Sequence, residues 1–209
     1  MGSGGDDAVR ILGTERVDTL VGGLDWVRMY GDGFNNYVQG YQSAAVNAAG
    51  GLDAFYLTDS KLNDLAVMRS GYASLSNSLR SIALTAFERQ NISSVNGGAD
   101  SIRMYDSERD DLLYSDSNFT SLRNSETYHR VNGFAATTVW SVSGGVDEIE
   151  IHGTREEDQI HLEKDFGSYR GGGLSRYFEG FDRAEVYLDL AVDTIRTNDV
   201  GYNFELIDE

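Results

Sequence analysis

Residues 100–111 read DSIRMYDSERDD. An aspartate opens a short run in which apolar and polar residues alternate. A second acidic corner then closes it. The same pattern starts again at four other places: DAVRILGTERVD at Asp7, DAFYLTDSKLND at Asp53, DEIEIHGTREED at Asp147 and a shortened DTIRTND at Asp193. The five starts lie 46, 47, 47 and 46 residues apart. Spacing held through a whole chain marks an internal repeat.

The second half of the unit repeats as well. GDGFNNYVQGY (31–41) aligns with GGGLSRYFEGF (171–181), and SETYHRVNGF (125–134) keeps the last part of it. Glycine pairs close three units, at 50–51, 97–98 and 144–145, while LDLAV (188–192) closes the fourth. Within a unit, alternating runs such as Ile102–Met104, Leu112–Tyr114 and Val139–Val142 are separated by polar or glycine turns, the signature of strands. The best helical-looking stretch, ASLSNSLRSIALTAFERQ (73–90), aligns with RNSETYHRVNGFAATT. That partner cannot form a helix, so coil and strand are expected.

Short strands on a long fixed repeat predict an all-β, single-stranded parallel β-helix (β-solenoid), right-handed, with two coils of about 23 residues per unit. About nine coils at about 4.8 Å make a rod of about 40 Å. A four-bladed propeller is the alternative, but a closed ring should not end in a stub. One domain is expected over residues 6–209, divided into repeats 7–52, 53–99, 100–146 and 147–192 and a partial unit 193–209. Residues 1–5, MGSGG, read as a cloning remnant.

Composition fits this picture. The chain has 209 residues with no Pro and 24 Gly. A chain without Pro can donate a hydrogen bond from every backbone N–H, which suits strands paired on both sides. The net charge is −17, with 34 acidic against 17 basic residues, of which only Lys61 and Lys164 are lysine. Such a balance argues against a phosphate-backbone or anionic-membrane partner and suits cations or salty surroundings. No Cys is present, so disulfides and thiolate metal sites are excluded. No apolar run is long enough for a membrane-spanning helix. There is no GxxxxGK[ST], GxSxG or HExxH; GGGLSR (171–176) is a weak phosphate-loop signal.

The repeat sorts candidate sites. Asp7, Asp53, Asp100, Asp147 and Asp193 recur in every unit and suit Asx-turns at a corner. The second corner shares Asp18, Asp64, Asp111 and Asp158. Asp59 and Asp106 occur in two units, and Gly13 and Gly153 replace them in the others. Clustered carboxylates and turn carbonyls are hard oxygen ligands, so Asp59, Asp64, Asp106, Asp110 and Asp111 are the candidate Ca2+ ligands, against solvated turn carboxylates. This corner resembles the Asp- and Gly-rich RTX repeats, whose nonapeptides bind calcium; VDTLVGGLD (17–25) comes nearest, without their nine-residue period. Asp53-Ala54, Tyr105-Asp106-Ser107, Asp110-Asp111 and Gly133-Phe134 are similar to the long acidic repeats of large secreted bacterial proteins. That resemblance implies a structural or adhesive segment at the cell surface or outside the cell.

The histidines, His129, His152 and His161, each occur in one unit only. His152, His161 and Asp158, with Arg155, form the candidate catalytic cluster, and Lys164 with Arg170 a weaker one. Tyr30, Tyr37, Tyr41, Tyr169, Tyr177 and Tyr187 suit either a glycan-stacking face or ladders within the solenoid. The leading expectation is a non-enzymatic structural or adhesive repeat segment. Its alternatives are a carbohydrate-active β-helix and an artificial repeat protein. Glycans, or further copies meeting through the end coils, are the candidate partners.

Overall fold

The computed structural model describes residues 7–208, so the expected remnant at residues 1–5 lies outside the described residues. All regular structure is β-strand. The first unit holds β1 (Ala8–Leu12), β2 (Thr19–Gly22), β3 (Trp26–Gly31), β4 (Phe34–Gln39) and β5 (Ser43–Asn47). The second holds β6 (Ala54–Thr58), β7 (Leu65–Arg69), β8 (Tyr72–Ser76), β9 (Ser81–Thr85) and β10 (Arg89–Ser93). The third holds β11 (Ser101–Tyr105), β12 (Leu112–Ser115), β13 (Phe119–Arg123), β14 (Tyr128–Asn132) and β15 (Ala136–Trp140). The fourth holds β16 (Glu148–His152), β17 (Gln159–Glu163), β18 (Phe166–Gly171), β19 (Leu174–Glu179) and β20 (Arg183–Leu188). β21 (Thr194–Asn198) and β22 (Asn203–Asp208) close the described chain.

The strands make two eleven-stranded sheets. The first runs β1-β5-β9-β8-β7-β11-β15-β19-β18-β17-β21 and the second β22-β20-β16-β12-β13-β14-β10-β6-β2-β3-β4. This is a stacked β-solenoid, as the repeat predicts, with a finer structure than two equal coils. Each unit sends its first and last strands to one sheet and folds its middle three as an antiparallel meander in the other. A unit therefore visits the sheets three times, and successive units begin in opposite sheets. Pairing between passes is parallel: Ala8 faces Ser43, and Ser101 faces Ala136.

Alternation explains the packing. Ile102 and Met104 are buried on β11 while Arg103 is exposed. The inward side chains of both sheets join one hydrophobic core that includes Leu20, Phe55, Leu75, Ile82 and Val186. Each fully buried Leu, Ile or Phe contributes about 1.5–3 kcal/mol. Residues 73–90 are strand and turn, as expected: Leu75 and Ile82 point inward from β8 and β9, and Leu79 lies exposed in the turn between them.

The glycine pairs that end two units answer a close approach. Gly98 (φ 108°) and Gly145 (φ 102°) adopt backbone geometry that L side chains rarely take. A Cβ on either would collide with a carbonyl of the acidic corner one layer away, that of Leu62 or Arg109.

Candidate metal centre at the acidic corners

Two of the corners that join the sheets carry the third acid. In one, residues 59–64 carry the chain from β6 to β7. In the other, residues 106–111 carry it from β11 to β12. Both corners use the same latch, a Ser or Thr four residues before an Asp. Ser60 donates its N–H (2.6 Å) and its hydroxyl (2.8 Å) to Asp64 Oδ2, and its Oγ accepts the Leu62 N–H at 3.0 Å. Ser107 does the same with Asp111 (2.8 and 2.7 Å) and the Arg109 N–H (3.1 Å). Thr14 with Asp18 and Thr154 with Asp158 repeat it in the outer units.

In the second, third and fourth units the remaining oxygen of the latch Asp is satisfied from the meander. Asn77 and Asn124 donate Nδ2–H to Asp64 (3.0 Å) and Asp111 (2.9 Å). In the fourth unit the Tyr169 hydroxyl donates to Asp158 at 2.9 Å. There Gly171 leaves no room for a Cβ beside Asp158 Oδ1. The glycine-rich 171–176 stretch is thus the β18–β19 turn fitted around a carboxylate.

From the second unit on, the first Asp of each unit ties one pass to the next. The Asp64 N–H donates to Asp100 Oδ1 at 2.7 Å and the Asp111 N–H to Asp147 Oδ1 at 2.8 Å. Asp18 donates likewise to Asp53 (2.6 Å) and Asp158 to Asp193 (2.9 Å). Ser94 and Ser141 hydroxyls donate to the second oxygens of Asp100 and Asp147. Ala48 occupies that place in the first unit, and Asp53 Oδ2 is buried without a partner. Burial raises the pKa of Asp100 and Asp147, and pushes that of Asp53 up to about 6.

The third acid of the corner is Asp59 or Asp106. Asp59 Oδ1 accepts the N–H groups of Val95 and Asn96 (both 2.9 Å) and the Asn96 side-chain amide (3.0 Å). Asp106 Oδ2 accepts the Val142 (2.9 Å) and Ser143 (2.8 Å) N–H groups. Buried Asp59, Asp64 and Asp100 each place a carboxylate oxygen within 4.8 Å of the others, which is a set that could hold a metal ion.

Of the five acids expected as ligands, Asp59 and Asp64 come together, joined by Asp100. Asp106 and Asp111 share the other corner with Asp147. Asp110 stands apart: it is exposed and accepts the Val146 N–H at 2.8 Å. Asp100 and Asp147 belong to these groups although their recurrence suggests only turn chemistry. The usable signal is the Ser six residues before each of them.

The catalytic candidates do not converge. His152 lies on the outer side of the second sheet, stacked on Tyr187 at 4.3 Å and 2.7 Å from Glu150. His161 lies on the outer side of the first sheet, 3.7 Å from Glu163. Asp158 is fully buried in its latch. Lys164 sits in the β17–β18 turn near Asp165, Arg170 lies exposed on β18, and Arg155 is exposed in the corner turn. His129 faces the core, and neither ring nitrogen has a hydrogen-bond partner. Burial lowers its pKa to about 4.

The tyrosines divide. Tyr41 is buried and donates to the Gly23 carbonyl at 2.8 Å. Tyr177 and Tyr187 stack on Phe166 and His152. Tyr30 and Tyr37 remain exposed. The RTX-like stretch 17–25 forms β2 and the turn to β3. Comparison with family models, curated proteins and solved structures finds no match. The fold and corners define an acidic β-solenoid repeat.

Proposed function

We propose that the chain is a non-enzymatic structural segment of a larger extracellular bacterial protein, serving as a rigid spacer or adhesive stalk. The observation that carries this reading is the use of the recurring acids. Asp53, Asp100, Asp147 and Asp193 each accept the backbone N–H of an aspartate in an adjacent pass, and each latch Asp is held inside its own corner. The residues that recur are engaged in tying passes together. A surface with net charge −17 keeps such a rod soluble and suits cations from the medium, calcium among them.

One observation favours glycan binding as a second reading. The outer face of the second sheet carries Trp26, Tyr30, Tyr37 and Tyr56, all exposed, with Trp26 and Tyr37 stacked at 5.9 Å. Exposed rings beside the Asn35 and Gln39 amides match the apolar faces and hydroxyls of sugars. A glycan array combined with an ultraviolet assay for unsaturated sugar products separates the two. The spacer reading expects neither binding nor product. Saturable binding abolished by Trp26→Ala would replace it with the glycan reading, and product formation would make the chain an enzyme.

A further inference from the structure

We propose that Arg89, Arg123 and Arg130 form a binding site for a small tetrahedral oxyanion of the phosphate or sulfate class, on the outer face of the second sheet. The inference goes beyond the spacer reading, which requires no ligand.

The second sheet divides sharply by charge. Eight consecutive strands, β4-β3-β2-β6-β10-β14-β13-β12, contain no Asp or Glu and carry Arg28, Arg89, Arg123 and Arg130. The next strands, β16, β20 and β22, carry Glu148, Glu150, Glu185 and Glu205. In a chain of net charge −17, the first region is where an anion approaching this face meets no strand carboxylate.

Three of these arginines surround one tyrosine. Arg89 on β10 and Arg123 on β13 both stand opposite Tyr128 on β14, from its two sides, and Arg130 lies two residues further along β14. The buried Gln90, Leu122 and His129 alternate with them, so all three arginines share the outer face. Strand spacing of about 4.8 Å and a rise of about 3.3 Å per residue set their Cα atoms within about 10 Å of one another, which arginine side chains span. The Arg89 and Arg123 guanidiniums have no hydrogen-bond or ion-pair partner among the described residues. Arg130 is held over the sheet: its Nε donates to Asn132 at 3.1 Å, and its guanidinium carbon lies 4.0 Å from the Phe119 ring centre. The acids nearest in the chain are engaged elsewhere. Glu88 accepts the Asp53 N–H at 2.7 Å, and Glu126 pairs with Arg109.

Beside Arg89 opens a pocket of about 310 Å³ lined by Tyr56, Asn91 and Tyr128. That volume suits one small molecule and not a polymer. Each guanidinium offers paired N–H donors, and three of them exceed what the two oxygens of a carboxylate accept. A phosphate or sulfate monoester presents three oxygens. The tyrosine rings supply an apolar wall for whatever group carries the oxyanion.

Calorimetric titration of the full chain at low salt tests the site with three probes: inorganic phosphate, phenyl phosphate and glycerol phosphate. Sodium acetate is the carboxylate control. Saturable binding near one phosphate per chain, displaced by inorganic sulfate, is expected. Arg89→Gln and Arg123→Gln should each weaken it about tenfold, with an unchanged circular dichroism spectrum. Arg103→Gln, on the outer face of the first sheet, should leave it unchanged. The carrier follows from the same data. Tighter binding of phenyl phosphate that Tyr56→Ala removes supports the site with a planar ring as carrier, and equal affinity for all three probes supports it with the free ion as ligand. No saturation by any probe overturns the proposal. Acetate binding as tightly as phosphate, or an equal loss in Arg103→Gln, means only general attraction to positive charge and overturns it too. The spacer reading stands or falls separately, on the glycan and product assays.

Discussion

Asp53 and Asp100 hold the same place in successive units but have different surroundings. Ser94 donates to Asp100, whereas Ala48 leaves Asp53 Oδ2 unpartnered. Burial pushes Asp53 up to about 6 from 3.8, so the fold favours its neutral form. Its contribution to stability is intact below pH 3.8 and is lost as the pH rises through about 6. Asp53→Asn should therefore raise the melting temperature at pH 7.5 and change it little at pH 4; a lower midpoint at pH 7.5 would contradict this. Ala48→Ser supplies the missing hydroxyl and should stabilise the neutral-pH protein by about 1 kcal/mol in urea titrations. His129 acts in the opposite direction. Its pKa falls from 6.5 to about 4, so its contribution is present above pH 6.5 and is lost as the pH drops toward 4. His129→Leu should make stability less sensitive to acid over that range, by up to about 3 kcal/mol, in urea melts at pH 7 and pH 4. That the aspartates recur was legible in the sequence. Their partners were not, because Asp64 meets Asp100 from 36 residues away, which only the fold sets.

At the scale of the element, one hydroxyl organises each corner. Ser107 Oγ accepts from Arg109 and Asn124 and donates to Asp111. Ser107→Ala strands these groups and should cost about 1–3 kcal/mol in denaturant titration. Gly145→Ala puts a Cβ at positive φ against the Arg109 carbonyl and should cost about 1–3 kcal/mol or prevent folding, read by the same titration; a neutral result would show the corner to be loosely packed. Strand positions could be read from the sequence because a two-residue period shows which side chains point inward. The meanders could not. The same alternation serves parallel and antiparallel neighbours, and nothing in RMYDSERDDLLYSDSNFTSLR marks a strand as turning back on its own sheet.

For the whole molecule, eleven strands per sheet at about 4.8 Å spacing give a stack of about 50 Å, somewhat longer than the repeat alone predicts. Absent proline and frequent glycine suit this arrangement, because every interior strand is paired on both sides and each pass must turn sharply at a corner. The acidic corners lie on both edges of the stack, so the hydrogen bonds between passes run along its length. Their common element is a backbone N–H given to a buried carboxylate in the next pass. Amide hydrogen exchange by nuclear magnetic resonance tests this most directly. The amides of Asp18, Asp64, Asp111 and Asp158 lie outside regular strands, yet they should exchange as slowly as those of the neighbouring strands. Exchange at the rates of open loops would mean that the aspartates do not hold the passes together.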